Sequence, residues 1–288
     1  MTILVTGANG QLGRETVLAL QEDDEVLLAI GREELDFSRS DQVAEAIADY
    51  AAEWVINCAA YTQVDKAEEE YELAFTINRD AARAVAKGVK LSGGRLLHIS
   101  TDFIFGGEQS SPYKENDTAS PLGVYGQSKL EGEQAVREVL PEALILRTAW
   151  VYGVQGHNFV KTILRLASER ETLRVVDDQI GTPSWTGDIV RAIRSLIKTE
   201  ATGTYQFTNE GVASWYDFAM EIVASAKQLG FPVMAKTIQP IPTEEFPLPA
   251  KRPAYSVMSK VKIRAVLDHQ IPHWRTSLHA MLKQESGA

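Results

Sequence analysis

The sequence predicts an α/β fold, a doubly wound parallel sheet with a smaller α/β lobe attached. Three observations carry that reading. Short apolar, β-branched runs alternate with amphipathic helical stretches through the first 150 residues, the pattern of consecutive β-α-β units. The first run, Thr2-Ile3-Leu4-Val5-Thr6, passes directly into a glycine-punctuated turn and then a helical stretch from Arg14 to Leu20. After residue 150 the alternation loosens, and helices are separated by proline-marked segments with no clear linker, as expected of a lobe built from insertions and the C-terminal part.

Composition narrows the function classes. With 288 residues, 44% of them apolar, the chain can bury a sizeable core in one large unit or in a main domain with a smaller partner. A net charge of -10 argues against nucleic acid or an anionic membrane surface as partner, and requires any anionic ligand to meet local basic groups. Cys58 is the single cysteine, so an intrachain disulfide is excluded and a reducing compartment is expected. No secretory signal precedes the first strand and no apolar run is long enough to span a bilayer, so a soluble cytoplasmic protein is expected.

The turn after the first strand carries Gly7, Gly10 and Gly13 at Gly-x-x-Gly-x-x-Gly spacing. Between a strand and a helix, such glycines let the backbone approach a pyrophosphate, which the helix N-terminus stabilises. A tight structural turn would use the same residues. A second strand is expected over Glu25 to Ile30, and Gly31-Arg32 stand where an acidic residue for a ribose 2′-hydroxyl is usual. Arginine there suits a 2′-phosphate, which favours NADPH with NADH still open, although Glu33 and Glu34 follow at once. Asp36-Phe37 could flank an adenine or begin a helix, and Asp41 to Tyr50 is that helix.

Trp54 to Ala60 reads as a third strand, whose small end residues let a cofactor lie close to the backbone. Cys58 within it reads as a core packer. A long charged helix follows from Asp65 to Lys87; its Asn78 could face a site and hold a water. Arg95 to Thr101 is the fourth strand, with Thr101 at the carboxyl end, where ligands bind in open parallel sheets, and His98 packed inside. Gly106 to Leu122 reads as loop, and Ala143 to Thr148 as the fifth strand. Beyond it come a helix from Asn158 to Arg170, a strand at Leu173 to Val176, a helix from Trp185 to Ile197 and a strand at Gly203 to Phe207. Ser214 caps a helix from Trp215 to Gln228, Pro232 to Pro249 is irregular, and Trp274 to Gln284 is the last helix. The expected division is a dinucleotide-binding Rossmann-type domain of residues 1–150 and 172–208, and a substrate-binding lobe of 151–171 and 209–288.

Tyr125 and Lys129, four residues apart, share one face of a predicted helix. A free phenol, with a pKa near ~10, shuttles protons poorly at neutral pH, and a neighbouring ammonium lowers that pKa. The pair can then exchange a proton with a carbonyl or alcohol oxygen.

A dinucleotide turn, a hydroxyl after strand four and a Tyr-x-x-x-Lys helix together resemble the extended short-chain dehydrogenase/reductases over essentially the whole chain. Within them, Ser100 to Gly106, Asn158-Phe159-Val160, Asp178 to Pro183 and Arg252 to Ser256 resemble motifs of the dTDP-4-dehydrorhamnose reductases. The resemblance implies a sugar-nucleotide substrate reduced at its 4-keto group by hydride from NADPH. Tyr125 would be the general acid, Lys129 would hold the nicotinamide ribose and lower the Tyr125 pKa, and Thr101 would hydrogen-bond the same oxygen. Gly7, Gly10, Gln11, Leu12 and Gly13 would line the pyrophosphate turn. Arg32, Asp36, Phe37, Ala59, Ala60, Tyr61, Thr62 and Ile99 would complete the cofactor site. Asp102 and Trp150 would contact substrate, Trp150 with a flat face for the sugar, and Arg252 would pair with the diphosphate.

Tyr61 stands where many relatives carry histidine. Some relatives dimerise around magnesium. Glu15 matches one acidic position, but Thr186-Gly187-Asp188 supplies fewer carboxylates, so magnesium stays open without being favoured, no residue is assigned to a metal, and a homodimer stays open. Sugar-nucleotide dehydratases add a second carboxylate where Phe103 follows Asp102, which sets dehydration aside, and epimerases fit the later motifs less well. The alternative from another class is a non-catalytic NADP-binding regulator resembling the regulatory subunit of methionine adenosyltransferase.

Overall fold

The computed structural model describes residues 1–21 and 26–287. Along the chain the first strands are β1 (Thr2–Thr6), β2 (Val26–Ile30), β3 (Trp54–Asn57), β4 (Arg95–Thr101) and β5 (Leu144–Thr148). Then come β6 (Val151–Tyr152), β7 (Thr172–Val176), β8 (Ile180–Gly181), β9 (Ser184–Trp185), β10 (Gly203–Gln206), β11 (Ala213–Ser214) and β12 (Thr237–Ile241). Glu25, expected to open the second strand, lies outside the described residues.

The central sheet has the order β10-β5-β4-β3-β1-β2, with every pairing parallel. Its strands are near-continuous apolar runs because both faces are covered. On one face α1 (Gln11–Leu20) lies beside the later helix at Thr186–Lys198, and Ile3, Val5, Ile56, Leu97 and Leu146 pack against Ile189, Ile193 and Leu196. The other face carries α2 (Ser40–Asp49), α3 (Tyr71–Phe75), α4 (Ala82–Ser92) and α5 (Val124–Val139), where Leu4, Val55, Leu96 and Ile145 meet Val43, Ile47, Val85, Val89 and Val136. The chain leaves β1 toward β2, then returns to β3 on the other side. That reversal opens a crevice beyond the carboxyl ends of β1 and β3.

The smaller lobe packs α6 (Phe159–Glu169) against α8 (Trp215–Gln228) and α10 (Trp274–Ser286); α7 is the Thr186–Lys198 helix and α9 is the short Val261–Arg264 turn. Val160, Ile163, Leu173, Phe218, Ile222 and Leu282 form its core. Asn158 caps α6, accepting from Lys161 N at 3.0 Å, and Ser214 caps α8 in a reciprocal box with Asp217.

Three expectations need correction. The strand at 172–176 does not join the central sheet. It pairs in parallel with β12, and Leu173 and Val175 pack into the lobe's core, so the chain returns to the central sheet's layers only at α7. β12 itself lies inside the stretch read as irregular; Pro240 is tolerated because β12 is the edge of a two-stranded sheet. The single helix expected from Asp65 to Lys87 is divided into a 3₁₀ turn at Lys66–Glu68, α3, a π-helical stretch at Thr76–Ala81 and α4. The wide π turn rotates Asn78 inward, and its side chain is buried.

Candidate active site

A cleft of about 1050 Å³ runs along the carboxyl ends of the sheet from β2 to β5. The turn after β1 forms its middle. Gly7 has φ +64°, and a Cβ there would stand 2.7 Å from Ala59 N. A Cβ on Gly13 would stand 2.2 Å from the Gly7 carbonyl oxygen. Only glycine lets this turn close against the end of β3. Gly10 N donates to Gly7 O and Arg14 N to Gly10 O, both at 2.9 Å, so α1 begins with Gln11, Leu12 and Gly13 opening on the cleft. Free backbone amides at such a helix start suit an anion such as a phosphate group.

Beyond β2, Arg32, Asp36 and Phe37 line the cleft. The Arg32 side chain is 79% exposed and lies 3.9 Å from Asp36, an ion pair loose enough to release the guanidinium to an anion. Asp36 accepts from Ser38 N at 2.9 Å, which holds its carboxyl below the usual range. Ala59, Ala60, Tyr61 and Thr62 form the wall after β3. Asn78 holds that wall: it accepts from Tyr61 N at 2.9 Å and donates to Tyr61 O at 3.1 Å and to Ser128 at 2.9 Å. Its amide therefore ties the wall to α5, where the sequence suggested a water. The Tyr61 hydroxyl donates to Glu70 at 2.5 Å, and burial first, then this carboxylate, push it up to about 12.

The far end is made by β4 and α5. Glu68 accepts from Val124 N at 2.9 Å and so caps the helix that carries Tyr125 and Lys129. Thr101 accepts from Phe103 N and donates to Asp102, each at 3.2 Å. Phe103 meets the Tyr125 ring edge-on at 5.5 Å. Lys129, only 2% exposed, donates to Ile99 O at 2.7 Å. Burial pulls its ammonium down to about 8. Burial also pushes the Tyr125 phenol up to about 12, against the lowering effect of Thr101, with the Asp102 carboxylate adding to the rise. The depressed Tyr125 pKa expected from the Tyr-Lys spacing is thus reversed, because desolvation is the largest influence on the phenol and outweighs the hydrogen bond with Thr101. His98 is packed and neutral, as expected, with its pKa held well below the usual value by burial. Cys58 faces the cleft with a thiol pushed up to about 12 by burial, so it stays protonated.

The family profile of the RmlD substrate binding domain matches residues 1–286. The chain belongs to that family. It is 40% identical over 286 residues to a dTDP-4-dehydrorhamnose reductase of Burkholderia thailandensis, covering 96% of each chain. A crystal structure of a Clostridium acetobutylicum dTDP-4-dehydrorhamnose reductase superposes with a TM-score of 0.93 at 39% identity over 99% of both chains. A Bacillus anthracis dTDP-4-dehydrorhamnose reductase solved in complex with NADP matches with the same TM-score of 0.93 at 38% identity, covering 98% of this chain and 99% of that one.

Every sequence-predicted site residue of this RmlD-family chain lines the cleft except Arg252. Arg252 instead makes a two-pronged ion pair with Asp65, at 2.7 and 2.9 Å, and also donates to Ala250 O at 2.6 Å. Trp150 is in the cleft wall, but one face is stacked on Trp215, with centroids 3.5 Å apart and planes at 4°. Its backbone has φ 47°, a strained conformation costing about 1–3 kcal/mol that the stack helps to hold. Asp102 is 1% exposed, and burial pushes its carboxyl up to about 6, against hydrogen bonds from Ser256 and Thr101. Ser256 closes the Arg252–Ser256 stretch singled out in the sequence, but no role for it was legible there, because its partner Asp102 lies far away in the chain. Sequence reasoning also missed the bridge made by Gln11, which donates to Val151 O at 3.1 Å and accepts from Asn158 at 2.8 Å, joining turn to lobe.

Glu15 is half-buried and raised by that burial, with a lowering hydrogen bond from Thr186. The Asp188 carboxylate is engaged by Asn209 at 2.7 Å and Ser277 at 2.5 Å. Among the described residues no group of three or more His, Cys, Asp or Glu is arranged to hold a metal. No helix among them is long and apolar enough to cross a membrane.

Proposed function

We propose that this chain reduces dTDP-4-dehydro-L-rhamnose to dTDP-L-rhamnose with NADPH, and that Thr101, Tyr125 and Lys129 carry the reaction. The observation that supports this most is the meeting of those three side chains, Thr101 and Lys129 buried and Tyr125 half-buried, at one end of a cleft whose middle is a glycine cradle. Membership of the RmlD family over residues 1–286 and the NADP complex of the Bacillus anthracis relative agree with it.

The cofactor supplies the hydride. The chain supplies the proton and the orientation. A phenol near 12 is fully protonated at neutral pH, so Tyr125 stands ready as an acid, and the strongly basic alkoxide oxygen formed on reduction takes its proton downhill. The Thr101 hydroxyl, beside Tyr125, stabilises the same oxygen as charge develops. Lys129 is cationic below about 8 and holds the nicotinamide ribose while offsetting the negative charge left on Tyr125. Arg32 meets the 2′-phosphate. Asp102, ionised above about 6, lines the cleft and would accept a hydrogen bond from a sugar hydroxyl. Arg252 would leave Asp65 to pair with the diphosphate, an exchange of one charged partner for another.

The test is sugar-dependent oxidation of NADPH, followed by loss of the ultraviolet band of reduced nicotinamide, with the keto sugar generated in place by the preceding enzymes. Oxidation that depends on the sugar is expected. Cofactor binding without turnover would overturn the reading and turn attention to a regulatory role through a protein partner.

A further inference from the structure

The stretch from Asp178 to Pro183 does not line the cleft, yet it closes on Trp150 of the cleft wall. β8 pairs with β11 in antiparallel register, Gly181 opposite Ala213 and Ile180 opposite Ser214. One step further, that register sets Gln179 opposite Trp215, the first residue of α8. The Trp215 indole nitrogen donates to Gln179 Oε1 at 3.2 Å. Gln179 is buried and held at its other end, where Nε2 donates to Thr243 Oγ1 at 3.0 Å. Thr243 donates to the Asp178 carboxylate from its hydroxyl at 2.6 Å and from its backbone nitrogen at 2.9 Å. Both ends of the Gln179 amide are therefore engaged, and its orientation is set. Phe159 packs on Trp215 at 4.6 Å, and Trp215 stacks on Trp150. Gly181 lies against the same Trp150 indole: a Cβ there would stand 2.5 Å from Cε2. Trp150 has a positive φ, a conformation that persists only where the surroundings over-determine it. Burying Trp215 would need no more than an apolar neighbour. A buried amide engaged at both ends fixes a direction as well.

We propose that Gln179 is a positioning residue for the substrate: by fixing the Trp215 indole it fixes Trp150, and so the surface that the sugar ring meets in the cleft. Gly181 serves the same end by leaving room for the Trp150 ring. This rests on the reaction proposed above and on Trp150 meeting the sugar, the role its resemblance implies. The same short strand also reaches the other substrate residue: Ser256 N donates to Ile180 O at 2.8 Å, and Ser256 hydrogen-bonds Asp102. Gln179 and Trp215 do not line the cleft themselves, so their effect is confined to what Trp150 touches and leaves the glycine turn alone.

The experiment uses the full chain and two readouts. Circular dichroism of the ligand-free protein reads the exciton band of the stacked indoles, assigned by its loss in Trp150→Phe and in Trp215→Phe. Turnover with dTDP-4-dehydro-L-rhamnose gives kcat and the KM values for sugar and NADPH separately. Gln179→Met keeps length and packing but removes both side-chain hydrogen bonds. It should diminish the exciton band by about half or more and raise KM for the sugar about tenfold, with kcat much less changed and KM for NADPH unmoved. In a Trp215→Phe background the same change should add nothing to KM, because its route runs through the indole. Where Gln179→Met fails to fold, Trp215→Phe, which removes the indole donor and keeps a ring, carries the same expectation for KM. An unmoved exciton band in folded Gln179→Met overturns the inference. A diminished band with an unmoved KM also overturns it and leaves Gln179 a structural staple, as does a full further loss in the Trp215→Phe background. Trp150→Ala separates this inference from the reaction itself. An unchanged KM for the sugar in that variant, with normal wild-type turnover, removes the positioning role while the reaction stands. No turnover in the wild type overturns both.

Discussion

The Gly7–Gly13 turn and the corner of Thr101, Tyr125 and Lys129 face the same cleft, but one is made of backbone and the other of side chains, two of them buried and Tyr125 half-buried. In the turn, what matters is the absence of atoms: a Cβ on Gly13 would collide with the Gly7 carbonyl 2.2 Å away. In the corner, what matters is the medium around the atoms. Burial moves Tyr125 up to about 12 and Lys129 down to about 8, so their ordinary values do not apply. A glycine motif can thus be read from spacing, whereas the acid-base character of the tyrosine cannot.

The contrast can be broken at either place. The largest effect belongs to the corner. Tyr125→Phe should lower kcat by at least about 10²-fold, the usual scale for losing a general acid, while NADPH affinity stays nearly unchanged by fluorescence titration. Near-normal turnover would remove the phenol from the mechanism. The turn should respond the opposite way. Gly13→Ala should weaken NADPH about 10-fold or more, with the substrate-saturated rate much less affected once cofactor is saturating, because the added methyl forces the cradle open. Equal losses in both quantities would show that the two regions are not separable. The smallest effect is expected at the rim. Arg32→Ala should weaken NADPH several-fold and NADH hardly at all, the scale of one exposed charge-assisted contact. Equal losses for the two cofactors would return Arg32 to the solvent surface.

Part of this protein was written in local pattern. Strands with both faces covered read as apolar runs, the cradle reads as three glycines between a strand and a helix, and the Tyr125–Lys129 spacing reads as one helix face. Those features depend on neighbours within a few residues, so chain order determined them. Other features arise where residues far apart in the chain meet. β7 left the central sheet because β12, some sixty residues later, offered it a parallel edge and an apolar core. Asn78 turned inward because a π-helical stretch brought its amide to Tyr61 and Ser128. Trp150 gave one face to Trp215, and Arg252 found Asp65 across 187 residues of sequence. The reversal of the Tyr125 pKa belongs to the same class. Periodicity and spacing are short-range properties and were legible in the sequence. Desolvation and the choice of partner for a buried polar or aromatic group depend on everything packed around it, and only the tertiary structure decides them.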